Sequence, residues 1–174
     1  MKQRIRIYGE DVLRKTVNEV KDIDKNIARL VKDMSYTLKS ARGIGLAATQ
    51  VGVLTSVFLA LDVDKDRVIT AINPKLADSN GEEIDVEGCL SIPEVFISVQ
   101  RAKKVVLKAV DENGKEFIIE AEGLLARCIH HEIDHLNGRL ITDYASEGEK
   151  NFWKEKLDQL QKTHSIPGLE CKEK

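Results

Sequence analysis

Residues 24–39 carry Ile27, Leu30, Val31, Met34 and Leu38 at the i, i+3, i+4 spacing of a helix with one apolar stripe. Asp24 stands where an N-cap belongs, and Gly43 lies just past the expected end. From about Val53 to Ala121 the text changes to short β-branched runs: TSVFLAL, RVITAIN, VFISVQ, KKVVLKAV and EFIIEA. Asn80-Gly81 and Asn113-Gly114 punctuate them as turns. The helical pattern returns over Gly123–Asn137 and is closed by Gly138. A last helix is expected from Ser146, where Ser146 and Glu149 have the spacing of a capping box, to Thr163. Its apolar positions are Phe152, Trp153, Leu157 and Leu160, and 164–174 reads as a flexible tail. This order predicts an α+β fold with mostly antiparallel strands.

At 174 residues the chain suits one domain spanning 1–174. Its net charge of −2 excludes nucleic-acid binding driven by bulk positive charge, and no sequence-specific nucleic-acid contact is expected. No apolar run is long enough for a bilayer, and the opening MKQRIRIYGEDVL lacks the apolar stretch of a signal peptide. Three cysteines, at 89, 128 and 171, are too few for a disulfide framework. They fit a reducing cytoplasm, where a cysteine that matters is a ligand or a nucleophile.

The densest chemistry is His131-Glu132-Ile133-Asp134-His135. On a helix, residues i and i+4 lie one above the other, so two imidazoles can share one cation. Glu132 is turned about 100° from His131, beside the place a metal-activated water would occupy. A surface helix with two unrelated histidines is the alternative. Against it, Leu124, Cys128, His131 and His135 fall on one helical face, and a buried imidazole needs a partner. Downstream, a third ligand would have to come from His164, Glu147, Glu149 or Glu155. Upstream, Cys89 in Glu87-Gly88-Cys89-Leu90-Ser91 would complete a two-His, one-Cys site with an open fourth position, unless it is a small core residue. Cys128 is the rival thiol and is expected to line a cavity; Cys171 is given no role.

Gly43-Ile44-Gly45-Leu46-Ala47-Ala48-Thr49-Gln50-Val51-Gly52 is the second cluster. A dinucleotide fingerprint needs a strand before its first glycine, and here a helix precedes it. Glycines also let a strand edge lie flat against an extended ligand. Gln50 then either aims an amide N–H at an oxyanion or merely caps a helix-to-strand turn.

Together these segments resemble the peptide deformylases, marked by the ordered blocks GxGLAAxQ, EGCLS and QHExDH. They read GIGLAATQ at 43–50, EGCLS at 87–91 and HHEIDH at 130–135, with His130 in place of the usual Gln. YGEDVLRKTVNEV and QRAKKVVLKAVDENG extend the likeness over nearly the whole chain. The expected architecture is antiparallel sheets packed around a central HExxH helix, with further helices at each end.

The resemblance implies a metal-dependent amidohydrolase that removes the formyl group from N-terminal formylmethionine of nascent polypeptides and releases formate. Cys89, His131 and His135 would hold the metal, Fe(II) first, with Zn(II), Ni(II) or Co(II) as substitutes. Glu132 would be the general acid/base, and Gln50 with the Leu90 backbone N–H would bind the oxyanion. Gly43, Ile44 and Gly45 would hold the peptide as an added strand, and Ile44, Leu124, Cys128 and His131 would surround the methionine side chain. Arg101 matches a family arginine near the substrate entrance. In some relatives the C-terminal helix docks on the ribosome. Here Lys150, Lys154, Lys156 and Lys162 alternate with acids, which suits a solvated helix packed through Phe152 and Leu157. His130 is expected to be partly exposed and idle. An HExxH peptidase would leave EGCLS without a task, a degenerate binding relative would have lost Glu132 or a ligand, and a redox-sensing Cys/His protein would leave Glu132 unexplained.

Overall fold

A computed structural model describes residues 1–164, so the expectations for the tail and for Cys171 lie outside the described residues. The elements that build the site are α1 (Lys25–Ala41), β1 (Gly45–Ala47), β2 (Val57–Asp62), β3 (Arg67–Asn80), β4 (Glu83–Cys89), β5 (Ile92–Arg101), β6 (Lys104–Val110), β7 (Glu116–Glu122), α2 (Gly123–Leu136) and α3 (Glu147–Thr163). This is the expected α+β architecture.

Five strands form one antiparallel sheet in the order β1-β2-β3-β6-β7, and β4-β5 form a separate hairpin. The five-stranded sheet is covered on both faces. Val31, Met34 and Leu38 of α1 pack with Leu46, Leu59 and Ile72 on one side. Ile129 and Leu136 of α2 pack with Phe58, Ala71 and Leu107 on the other. The β5 side chains Ile92, Val95, Ile97 and Val99 build a further core with Leu13, Leu140 and Leu160. α2 is joined to the hairpin by Arg127, whose guanidinium donates to Val99 O at 2.9 Å and Glu83 O at 3.1 Å. The helix that carries HExxH therefore touches both sheets.

Asp24 caps α1 as expected, accepting from the N–H groups of Asn26 and Ile27. At its other end Gly43 lies just beyond the helix as expected, and the left-handed C-cap is Arg42 at φ 54°. Asn113-Gly114 closes the β6-β7 hairpin. Asn80-Gly81 also turns the chain, but β3 and β4 on either side of it belong to different sheets.

On α3, Trp153, Leu157 and Leu160 face the core, whereas Phe152, expected to pack there, is 75% exposed. The helix is fixed to the outer row of β5 by three successive contacts. The Ser98 N–H donates to Glu149 at 2.8 Å, Trp153 Nε1 donates to Phe96 O at 2.9 Å, and Lys156 pairs with Glu94. Residues 149, 153 and 156 thus meet 98, 96 and 94, which puts Trp153 rather than Phe152 against the sheet.

Glu149 also caps its own helix, accepting from the Ser146 N–H and hydroxyl. The donated bonds from Ser98 and then Ser146 hold its pKa at about 2, down from 4.5. A carboxylate depressed in the folded state stabilises fully above its unfolded pKa and ceases to do so as pH falls through the folded one. Glu149→Gln is therefore expected to melt below wild type at neutral pH, with the gap closing between about pH 4.5 and 2. Melting curves across that range check it.

Candidate metal centre

β4 ends at Cys89, which pairs with Ile92 across the two-residue Leu90-Ser91 turn. The turn fixes the direction of the Cys89 side chain, and α2 brings His131 and His135 to it. Ligand atoms of Cys89, His131 and His135 all lie within 4.8 Å of one another, with Cys89 Sγ 3.2 Å from His135 Nε2. This is the one such group of His, Cys, Asp and Glu found among the described residues. Donors around a tetrahedral cation sit ~3.5 Å apart given metal bonds of about 2.0–2.3 Å, so small side-chain movements suffice.

The downstream alternatives for a third ligand are elsewhere: Glu149 is bound to Ser98, Glu147 to Lys150, and His164 ends α3. The two imidazoles are set edge to face, with ring centroids 4.9 Å apart. His131 Nδ1 is 3.0 Å from Glu87 Oε2, which leaves its Nε2 for a metal. His135 Nδ1 and Glu132 Oε2 are buried with no hydrogen-bond partner, an arrangement the interior tolerates only where something else is to be met. Burial keeps the His135 pKa well below its usual value, which favours the neutral imidazole that a metal could use. The donor set, its spacing and the unpartnered atoms fit a divalent cation with an open side.

Burial pushes the Glu132 carboxyl up to about 7, against the downward pull of His131. A group near half protonation at neutral pH is placed to take a proton and return it. Of the two tasks considered for Gln50, capping a turn is the one its contacts show. Its Oε1 accepts from the Ala47 N–H at 2.8 Å, capping the short turn Ala48–Val51. That bond orients the amide, so Nε2 faces Ser91 Oγ at 3.2 Å and Cys89 Sγ at 3.6 Å.

A cavity of about 350 Å³ opens onto these groups, and Gly43, Ile44, Gly45, Gln50, Leu90, Leu124, Cys128 and His131 contribute to its lining. Cys128 lines it as expected, its thiol 3.3 Å from Ile44 O and its pKa driven up by burial. Leu124, expected on a buried face, is 53% exposed, at the mouth. β1 is the sheet edge beside the cavity. Ile44 O accepts from Leu61 N at 2.7 Å, so the alternation of an antiparallel ladder turns the N–H and C=O of Gly45 away from β2.

Gly45 is required for a second reason. A Cβ there would stand 2.2 Å from Glu132 Oε1 and 2.7 Å from Cys128 Sγ. Gly45→Ala is expected to displace Glu132, lowering turnover at least ~10²-fold. It should cost about 1–3 kcal/mol of stability through overpacking. Rate measurements and melting of the same preparation test both.

Arg101 does not line the cavity. It is 6% exposed beneath the histidines, where Nε and Nη2 donate to Glu87 at 2.9 and 3.0 Å and Nη1 meets Asp134. Its guanidinium lies 4.7 Å over the Tyr144 ring. The expected entrance role fails because Arg101 points inward from β5, as Val99 and Ile97 do. Sequence reasoning gave no individual role to Glu87, which is 5% exposed and binds Arg101, Arg127 and His131 together. Burial opposes ionisation of Glu87, yet the bonds from His131 and Arg101 hold its pKa at about 2. Arg127 and Ser91 were also missed; a charged residue four positions before His131 on an apolar face was the available clue. His130 is half-buried, with Nε2 lacking a partner.

The family model described as "Polypeptide deformylase" matches residues 2–151. Peptide deformylase 1 of Clostridium acetobutylicum is 48% identical over 147 residues, covering 84% of this chain and 97% of the relative. Among solved structures, a peptide deformylase from Legionella pneumophila aligns with a TM-score of 0.88 at 40% identity, covering 93% of this chain and 96% of that one. The peptide deformylase from Thermus thermophilus gives 0.88 at 35% identity, covering 94% and 99%.

Proposed function

The chain belongs to the polypeptide deformylase family, and from that premise we propose that Cys89, His131 and His135 hold the metal, Glu132 moves the proton, and Gln50 with the Leu90 N–H binds the oxyanion. The activity is the family's: hydrolysis that removes the formyl group from the N-terminal formylmethionine of newly made polypeptides. One observation carries the assignment of residues. A thiol, two imidazoles, an unpartnered buried carboxylate and an oriented amide meet at the end of a cavity bordered by a free strand edge.

The formylated peptide pairs with the free edge of β1 through the outward N–H and C=O of Gly45. Its methionine side chain enters the space between Ile44, Leu124, Cys128 and His131. Cys89, His131 and His135 would hold a divalent cation, which would supply Lewis acidity there. Glu132 takes the proton of the attacking water. As the carbonyl oxygen gains charge, Gln50 Nε2 and the Leu90 N–H donate to it. Glu132 then delivers the proton to the methionine nitrogen as the C–N bond breaks, giving formate and a free amino terminus. A formyl carbon bears only hydrogen, so a narrow cavity at Gln50 and Ile44 would exclude an acetyl methyl, and Gln50→Ala or Ile44→Ala would then widen acyl tolerance.

Fe(II) is the metal of this account, with Zn(II), Ni(II) and Co(II) as substitutes, and a thiolate ligand makes the site sensitive to oxygen. Among the described residues no helix is long and apolar enough to cross a membrane. The place of action is the cytoplasm, where nascent chains emerge, and 1–174 acts as one catalytic domain. α3 serves as a buttress for β5 rather than as an RNA-binding face, since three of its four lysines pair with Glu147, Asp158 and Glu94.

The test is formate release from formyl-Met-Ala-Ser and acetyl-Met-Ala-Ser after anaerobic loading with Fe(II). Release from the first alone is expected, and it should disappear on chelation. Cleavage of the peptide bonds themselves, or equal hydrolysis of both amides, would contradict the reading.

A further inference from the structure

Besides the two thiols, six ionisable side chains take part in lining the cavity: Arg42, Glu87, Glu94, Arg127, His131 and Glu132. Glu87, Arg127 and His131 hold one another, Glu94 pairs with Lys156, and Glu132 faces the donor end. Arg42 differs. Among the described residues its side chain has no ion pair or hydrogen bond, and it is exposed. Its backbone is nevertheless fixed. At φ 54° it ends α1 in the left-handed region, and its N–H bonds to Leu38 O and Lys39 O. A long cation is thus anchored at the cavity rim at a helix-terminal position more often given to glycine.

The direction of β1 says what would meet it. Gln50 is bonded to Ala47, the last residue of β1, and faces Cys89 Sγ at 3.6 Å, so the formyl end of a bound peptide lies at the C-terminal end of β1. The peptide then runs antiparallel to β1, back toward Gly43 and Arg42. Arg42 stands three residues before Gly45, where α1 turns into β1, at most ~10 Å from it by the reach of the chain. With the methionine opposite Gly45, the third and fourth residues of the peptide leave β1 past Gly43 and come within reach of the long Arg42 side chain at the rim.

The geometry points to Arg42 as a specificity-determining residue that favours a carboxylate side chain at the third or fourth position of the nascent chain and disfavours lysine or arginine there. This rests on the deformylase reading and on the peptide lying along β1. Glu94, across the cavity, does not offset it, because Lys156 neutralises that carboxylate.

The experiment compares kcat/KM for formyl-Met-Ala-X-Ser and formyl-Met-Ala-Ser-X amides, with X as Asp, Ser or Lys. Amidated ends keep a terminal carboxylate from confusing the result. In wild type, Asp should exceed Lys roughly fivefold at low salt in at least one series, consistent with a solvent-exposed charge pair. The ratio should shrink toward one at ~0.5 M salt. It should be near one at any salt in Arg42→Ala and inverted in Arg42→Glu. A wild-type ratio of one, a ratio that survives Arg42→Ala, or a loss equal for all three residues would overturn the assignment while leaving deformylation standing. Failure to deformylate even the Ser peptide would overturn the reading beneath it and this inference with it.

Discussion

Glu132→Gln is expected to lower formate release by about 10²–10⁴-fold, the usual share of a positioned acid/base. The same substitution should leave metal content at one per chain, since Glu132 is not among the three clustered donors. It should also leave the protein as stable as wild type or more so. Glu132 is 2% exposed, and its Oε2 has no partner, so the carboxylate is a burden that the fold carries. Glutamine has nearly the same shape and no charge to desolvate. A loss of rate with the melting temperature unchanged or raised separates a functional role from a structural one. Loss of rate together with unfolding or metal loss would mean that Glu132 holds the site rather than works in it.

Glu87→Ala should do the reverse and damage the scaffold first. The carboxylate meets both arginines and His131 in a group that is nearly sealed from water. With Asp134 it balances the two guanidinium charges. Its removal leaves buried cations short of a partner, which costs about 3–5 kcal/mol. His131 also loses the acceptor that fixes its ring, and metal affinity should fall ~10–100-fold. Denaturant unfolding reads the first effect, and competition with a chromogenic chelator reads the second. Reduced stability with unchanged metal affinity would show that Glu87 supports the arginines but does not orient His131.

The helices and most strands were legible because their apolar periods agree with burial, as in Ile129 and Leu136 of α2 or Val105 and Leu107 of β6. β4 was not, because its apolar residues face outward and its one buried position is an acid. Ile84 and Val86 are 69% and 58% exposed, while the Glu87 that follows them is buried. A strand that turns a carboxylate inward to hold a ligand cannot be read by hydrophobic pattern. Arg101 misled for the same reason: position in a family pattern says nothing of which side of β5 a residue takes. Phe152 and Trp153 were equivalent on the page, and only docking against Phe96 O distinguishes them. The Cys89, His131 and His135 cluster was legible because two ligands share one helix face and the third sits in a recognisable block. Glu87 was hidden in that block, since an acid beside a cysteine has no periodic signature.

Metal K-edge X-ray absorption on the Zn(II)-loaded protein tests the central arrangement most directly. One sulfur at about 2.3 Å, two imidazole nitrogens at about 2.0–2.1 Å and one further light atom from solvent are expected. The sulfur should vanish in Cys89→Ser and persist in Cys128→Ser. A shell without sulfur, one with two sulfurs, or one closed by four protein atoms would contradict the account.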